Sequence, residues 1–174
     1  MLKIIVLIFS TLIPKLALSQ CDVLFMPKEI IADSTIYVNG KNFKGYIFPS
    51  DYHGFILNKK LNSIWLTESQ IIQIEKIFIE QYNTLLKNDP QVSSEIEIKK
   101  DPKKQYKKHH RQYLGYVCEN GDLCALMLLL KKTVKLREQF ECFDKVMALG
   151  FGEIYEKNQI LVNINISKSK LIRP

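Results

Sequence analysis

The chain has 174 residues, of which 47% are hydrophobic and 25% are charged, and its formal net charge is +7. This is an ordinary globular composition, long enough for one domain with a hydrophobic core and short for two. Charges of both signs are mixed over most of the chain, which argues against a protein dedicated to binding polyanions.

The N-terminus has the features of a signal peptide. Lys3 precedes the apolar run Ile4–Ile13, and small residues follow at Ala17 and Ser19. Signal peptidases accept small side chains one and three places before the cut, so residues 1–19 are predicted to be a signal peptide. The apolar run is shorter than the ~20 residues of a membrane-spanning helix. No later segment approaches that length. We therefore expect an exported protein, periplasmic or secreted, with no transmembrane helix in the mature chain.

A lipoprotein is the alternative form of export. Cys21 would then be acylated as the first residue of the mature chain. The residue before such a cysteine is normally small, whereas this chain has Gln20 there. The pattern favours a free N-terminus over a lipid anchor at Cys21.

A hairpin and a long helix are predicted next. Two β-rich runs surround Asn39-Gly40, which is a strong short-range hairpin signal. Thr67 and Gln70 then form a T-x-x-Q capping box, in which each side chain satisfies a backbone donor at the start of a helix. The helix is expected over about 67–88, ending before Pro90. Its apolar side chains recur at steps of three and four and form one stripe, which two neighbours widen. The stripe consists of Ile71, Ile74, Phe78, Tyr82 and Leu85, and the neighbours are Ile72 and Ile79.

The C-terminal half is predicted to be strands. Two of them surround Asn120-Gly121, and the second, Leu123–Leu130, is apolar at nearly every position. Both of its faces are therefore expected to be buried, as in a central strand covered on two sides or a strand at a dimer seam. The run from Ile160 to Ser167 alternates apolar and polar residues, which is typical of a half-solvated strand.

These elements indicate one α+β domain over residues 20–174. An antiparallel sheet with one apolar face needs a cover, and the amphipathic helix can provide it. We expect one long helix packed on a curled antiparallel sheet, a cystatin-like arrangement. The first hairpin either extends that sheet or lies beside it.

The four cysteines are disulfide candidates because the protein is expected to be exported. Four cysteines allow three pairings. A two-residue turn at Asn120-Gly121 would place Cys118 and Cys124 on opposite faces of the sheet. One extra residue would place them diagonally at about 7–8 Å, which is marginal for a bond. Pairing of either with Cys142, or two buried thiols, is favoured over a Cys118–Cys124 bond, and Cys21 is the fourth candidate.

The sequence from the capped helix through "RQYLGYVCENGD" to "ILVNINI" resembles a group of small exported bacterial proteins. Those proteins have a similar Arg-Gln-Tyr-x-Gly-Tyr hairpin with an Asn-Gly turn, followed by an Asp-Gly-Gly turn. The likeness covers about residues 65–170. Leu149–Gly152 departs from it, because "LGFG" stands where Asp-Gly-Gly is expected. The resemblance implies export and fold, and it implies no catalytic residue.

A lysine-rich run over Lys99–Arg111 is a possible anion site. On a helix its cations could line one face, but Pro102 disfavours a helix, and a strand would send neighbouring lysines to opposite faces. The preferred interpretation is a solvated connector whose lysines also protect an edge strand. A groove-reading helix is missing beside the charge, which argues against nucleic acid as the partner. The possible anion contacts are Lys103, Lys104, Lys107, Lys108 and Arg111.

Catalytic, metal and cofactor sites have no clear signature in the sequence. His109 and His110 would point to opposite faces of a strand, so one metal ion could not easily bind both. A Cys118–His110 pair could act as a nucleophile and base, but no oxyanion-loop pattern accompanies it. There is no G-x-S-x-G motif, P-loop or G-x-G-x-x-G. No catalytic, metal-ligating or cofactor-binding residue is therefore predicted.

Three classes of function follow. The preferred one is a non-catalytic exported binding or accessory protein, whose sheet face or loops contact a protein, a peptide or an envelope component. The second is a polyanion or envelope-surface binder using Lys99–Arg111. The third is a small hydrolase with an unrecognised site. The sequence predicts neither the partner nor the oligomeric state.

Overall fold

The computed structural model describes residues 32–52, 62–87 and 106–172. These residues form a mixed α+β fold with one long helix and a seven-stranded sheet, which confirms the predicted class. The predicted signal peptide, Cys21, Lys103 and Lys104 lie outside the described residues. The strands are β1 (Ile36–Asn39), β2 (Lys44–Ile47), β3 (Ser63–Ile64), β4 (His109–Val117), β5 (Leu123–Lys131), β6 (Gln159–Asn165) and β7 (Lys170–Ile172). The helices are α1 (Glu68–Lys87) and α2 (Glu153–Asn158).

The sheet is open and mostly antiparallel, with the order β1-β2-β4-β5-β6-β7. The short β3 pairs with β4 beyond the end of β2. The predicted first hairpin forms, and it extends the sheet because β2 pairs with β4 in parallel, Gly45 opposite Arg111. From β4 to β7 the chain is an antiparallel meander.

The predicted capping box starts α1. The backbone N–H of Thr67 donates to Oε1 of Gln70 at 2.7 Å, and the N–H of Gln70 donates to Oγ1 of Thr67 at 3.4 Å. These bonds satisfy donors that an uncapped helix leaves unpaired. The predicted widening of the stripe by Ile72 is wrong, since that side chain is 57% exposed. Ile77, which was not assigned to the stripe, is buried.

One hydrophobic core lies between α1 and the sheet. Ile71, Ile74 and Phe78 are buried with the β5 side chains on the same side of the sheet. We call this side of the sheet the helix face. On β5 it is formed by Ala125, Met127 and Leu129, and on β6 by Val162 and Ile164.

A second core lies on the opposite side of the sheet. Leu126, Leu128 and Leu130 of β5 are buried there against the segment that connects β5 to α2. We call residues 133–150 the strap and this side the strap face. The strap contributes Leu136, Phe143, Met147 and Ala148. The prediction that both faces of β5 are buried is confirmed, and the cover on the second face comes from the same chain.

The buried side chain of Gln112 fastens the strap to the sheet. Its Nε2 donates to the carbonyl oxygens of Phe143 and Val146, both at 2.7 Å, and its Oε1 accepts from the N–H of Ala148 at 2.8 Å. The hydroxyl of Tyr52 accepts from the N–H of Met147 at 2.9 Å. Buried polar groups of an irregular segment need such partners, so Gln112 is the residue that makes this cover possible.

Cys118 and Cys124 form a disulfide, so the preference against this pairing is wrong. The turn is longer than two residues, because Val117 pairs with Leu123 and Gly121 has a positive φ of 82°. Both cysteines therefore lie on the strap face, and their Cα atoms are 5.9 Å apart, within the usual range for a disulfide. The right-handed twist of paired strands brings one diagonal pair of residues closer together than the other, and Cys118 and Cys124 form such a diagonal pair. Cys142 is also disulfide-bonded.

Candidate anion-binding site

Exposed lysines from three neighbouring strands meet at one end of the sheet. Lys44 begins β2 and Lys131 ends β5. The register places Lys131 opposite His109 at the start of β4, and the parallel β2 begins at the same end. Strands lie about 4.8 Å apart, so the three strand ends span about 10 Å. We call this region the basic end. It consists of Lys44, Lys107, Lys108, Lys131 and Lys132, all of them exposed.

The lysines of the basic end form no ion pair with any residue in 32–52, 62–87 or 106–172. Lys132 has its ammonium 5.5 Å from the centre of the Phe140 ring, a cation–π contact that leaves its charge uncompensated. Their charges are therefore available to an anion from solution.

The two histidines experience the positive potential of this end. His109 lies against the ring of Tyr106, whereas His110 lies edge-on to the rings of Phe140 and Phe143 on the strap face, so the predicted opposite orientation is confirmed. Burial, with Arg111 and Lys131 nearby, lowers the pKa of His109 to about 4.

Burial also acts on His110, and the charges of Lys44 and Lys132 add to it, so that the pKa of His110 falls to about 4. Both imidazoles are neutral at pH 7 as a result. Among the described residues, no group of three or more His, Cys, Asp or Glu side chains could hold a metal ion.

Arg111 is not available to an external anion, which corrects its assignment as an anion contact. Its side chain is 1% exposed and lies on the helix face. Its Nε donates to Oε1 of Glu75 at 3.2 Å, and its Nη1 donates to the carbonyl oxygens of Tyr106, at 2.8 Å, and His109. The hydroxyl of Tyr113 donates to the same Glu75 oxygen at 2.8 Å. The guanidinium therefore joins the helix to the sheet.

Of the predicted anion contacts, the structure places Lys107 and Lys108 in the basic end. Lys103 and Lys104 lie outside the described residues. Lys44, Lys131 and Lys132 were missed because they are distant in sequence, and only the register of β2, β4 and β5 brings them together. The one sequence signal that could have found two of them is the pair Lys131-Lys132 at the end of the most apolar strand.

A Cys118–His110 catalytic pair is excluded by the structure. Cys118 is in a disulfide, and a disulfide sulfur is not a thiolate nucleophile. The two residues also lie at opposite ends of β4, His110 near its start and Cys118 just after its last residue, eight positions or about 26 Å apart along an extended strand.

Both faces of the sheet are covered, one by α1 and the other by the strap. The preferred interpretation from sequence included binding on a sheet face; in the described residues the central strands are covered on both faces, and only β1, with Ile36 and Tyr37 exposed, leaves part of a face open. The surfaces left for a partner are the edges and the two ends. In the described part of the chain, no helix has the length and apolar character to cross a membrane.

Comparison with protein-family models finds no matching family, and comparisons with curated proteins and with solved structures find no match either.

Proposed function

We propose that this protein is a non-catalytic exported protein that binds anionic ligands through the basic end. Export, and a cystatin-like relation between the helix and the sheet, are parts of this proposal. The observation that carries it is the convergence, at the ends of three neighbouring strands, of five exposed lysines that have no ion pair within the described part of the chain.

The sheet that carries these lysines is rigid, which favours binding. A single exposed lysine attracts an anion weakly, because water and salt screen the charge. Five lysines near the ends of adjacent strands have backbone positions that the sheet fixes before a ligand arrives, so only the entropy of their side chains is lost on binding. A ligand with several phosphates, sulfates or carboxylates a few ångströms apart suits such a site.

The acidic groups nearby do not cancel this charge. Glu138 lies in the strap, and Glu75 forms a buried ion pair with Arg111. The other acidic residues of this region are Glu141 and Asp144 in the strap and Glu156 in α2, whereas Glu153 of α2 is paired with Lys157. The cations therefore outnumber the remaining carboxylates at the basic end.

The test is a salt titration of binding to heparin, lipopolysaccharide and duplex DNA. If all five lysines contact phosphates, the slope of log K against log salt for duplex DNA should be about −4 to −5, with no preference for sequence. Replacing the five lysines of the basic end with glutamine should weaken binding and flatten this slope.

The matched control replaces Lys170, which is exposed and pairs with Asn165 at the opposite end of the sheet, with glutamine. This control is expected to bind nearly as well as the wild type. Weak binding of every anion by the wild type would overturn the proposed function. So would a loss of binding free energy per replaced lysine that is the same in the basic-end variant and in the control.

A further inference from the structure

Within residues 32–52, 62–87 and 106–172, the two most exposed large apolar side chains lie at the same end of the sheet as the lysines. Val134 is 93% exposed and follows Lys131, the last residue of β5, by three positions. Phe151 is 87% exposed and follows Gly150, which is hydrogen-bonded to the side chain of Gln159, the first residue of β6. Because Gln159 pairs with Leu130 of β5, the two apolar side chains leave the sheet at one end, from adjacent strands.

Phe151 is held out by an ordered turn. The N–H of Gly150 donates to Oε1 of Gln159 at 3.1 Å, and Nε2 of Gln159 donates to the carbonyl of Gly150 at 3.2 Å. The ring of Tyr155 covers Gly150 so closely that a Cβ there would lie 2.1 Å from it. Gly152 has φ 92°, a conformation that other residues rarely adopt. The exposure of the phenyl ring is therefore set by local structure on both sides of it.

Val134 projects from a segment rich in cations. Lys131 and Lys132 precede it, and Lys135 and Arg137 follow it. Leu136 is buried in the core of the strap face and anchors the turn. An anchored, cation-flanked turn with an apolar side chain at its tip is the composition of surfaces that bind to the lipid–water interface.

We propose that the basic end docks on an anionic lipid bilayer, with Val134 and Phe151 inserted at the boundary between headgroups and acyl chains. This inference rests on the proposed function and specifies its ligand. A soluble polyanion would neutralise the lysines and leave both apolar side chains in water. A bilayer pairs anionic headgroups with the lysines and also removes the apolar surface from water. The carboxylates nearby, Glu138, Glu141, Asp144 and Glu156, are fewer than the cations, which include Lys135 and Arg137 besides the five lysines of the basic end.

The experiment measures co-sedimentation with vesicles of phosphatidylglycerol and phosphatidylcholine, with vesicles of phosphatidylcholine alone, and binding to soluble heparin. The wild type should bind the anionic vesicles and heparin and should bind the neutral vesicles weakly. Replacing Val134 and Phe151 with serine should weaken binding to anionic vesicles by about tenfold or more, since about 1.4 kcal/mol of lost burial is tenfold. Heparin binding should not change.

A matched control is Ile72→Ser. Ile72 is also exposed, but it lies near the start of α1, at the other end of the fold. It should leave vesicle binding unchanged. As a second readout, Phe151→Trp in a Trp65→Phe background should show a blue-shifted emission and quenching by brominated lipids on anionic vesicles.

The outcomes separate the two proposals. Binding to heparin without binding to anionic vesicles overturns the bilayer inference alone. Full vesicle binding by the Val134→Ser, Phe151→Ser variant, or an unshifted emission from position 151, also overturns it. Failure of the wild type to bind either anion overturns the proposed function together with the inference.

Discussion

Glu75→Gln should destabilise the fold strongly, because it leaves the Arg111 guanidinium buried without its counter-ion. The carboxylate of Glu75 accepts from Nε of Arg111 at 3.2 Å and from the hydroxyl of Tyr113 at 2.8 Å. All three side chains are buried on the helix face. Glutamine has nearly the same shape, so packing is preserved while the charge is removed.

The expected loss of unfolding free energy is about 3–5 kcal/mol, the usual cost of breaking a buried ion pair from one side. Two contacts of Arg111, to the carbonyl oxygens of Tyr106 and His109, remain in the variant and place the value toward the lower end. At about 2–4 °C per kcal/mol for a domain of this size, the midpoint of thermal unfolding should fall by roughly 10 °C.

The assay is urea unfolding followed by circular dichroism. A triple variant, Glu75→Leu with Arg111→Met and Tyr113→Phe, is the informative control. It removes both charged groups and the hydroxyl, leaving only the carbonyl oxygens of Tyr106 and His109, and should be more stable than Glu75→Gln, because no unpaired charge stays buried. A loss below about 1 kcal/mol in Glu75→Gln, which is the scale of surface changes, would refute the reasoning, as would a triple variant less stable than the single one.

Phe78→Ala should cost about 3–5 kcal/mol of unfolding free energy, because the ring is fully buried between α1 and the sheet. Stability should also fall as the pH drops from about 6.5 to 4. The pKa values of His109 and His110 are lowered to about 4 in the folded state, so in this window the unfolded chain binds more protons. Cys142 is disulfide-bonded while Cys118 and Cys124 bond to each other. By elimination we expect a Cys21–Cys142 bond and no acylation of Cys21.

Each of these predictions has a decisive measurement. A urea midpoint for Phe78→Ala that corresponds to less than about 1 kcal/mol would place α1 at the periphery. Stability that is flat between pH 6.5 and 4, or a dependence unchanged in a His109→Phe, His110→Phe variant, would assign acid sensitivity to other groups. Intact mass and peptide mapping of native, unreduced protein test the disulfide, and a mass increase from an acyl group on Cys21 would contradict it.

Local signals in the sequence were sufficient for the elements that depend on local physics. The start of α1 follows from the capping side chains of Thr67 and Gln70. The central position of β5 follows from its apolar run. The predicted position of Ile72 is wrong because steps of three and four locate the centre of the buried side of a helix but do not show how far the sheet covers it on either side. The covered side includes Ile77 and leaves Ile72 exposed.

Contacts between distant parts of the chain could not be predicted in this way. Glu75 and Gln112 are buried polar residues that hydrogen-bond to partners 36 and 31 positions away along the chain. A polar residue predicts an exposed position unless its hydrogen-bond partner is known, and such distant partners cannot be identified from the sequence. The basic end has the same origin. Lys44 and Lys131 become neighbours only through strand order and register, for which the sequence contains no local signal.

The parallel pairing of β2 with β4 has a consequence for synthesis of the chain. Gly45 and its partner Arg111 lie 66 positions apart, so at 5–20 residues per second the ribosome makes β4 about 3–13 s after β2. An isolated two-stranded hairpin is marginally stable in water. The β1–β2 hairpin must therefore wait, with its inner edge unpaired, and it gains its stability only after the second half of the chain has been made.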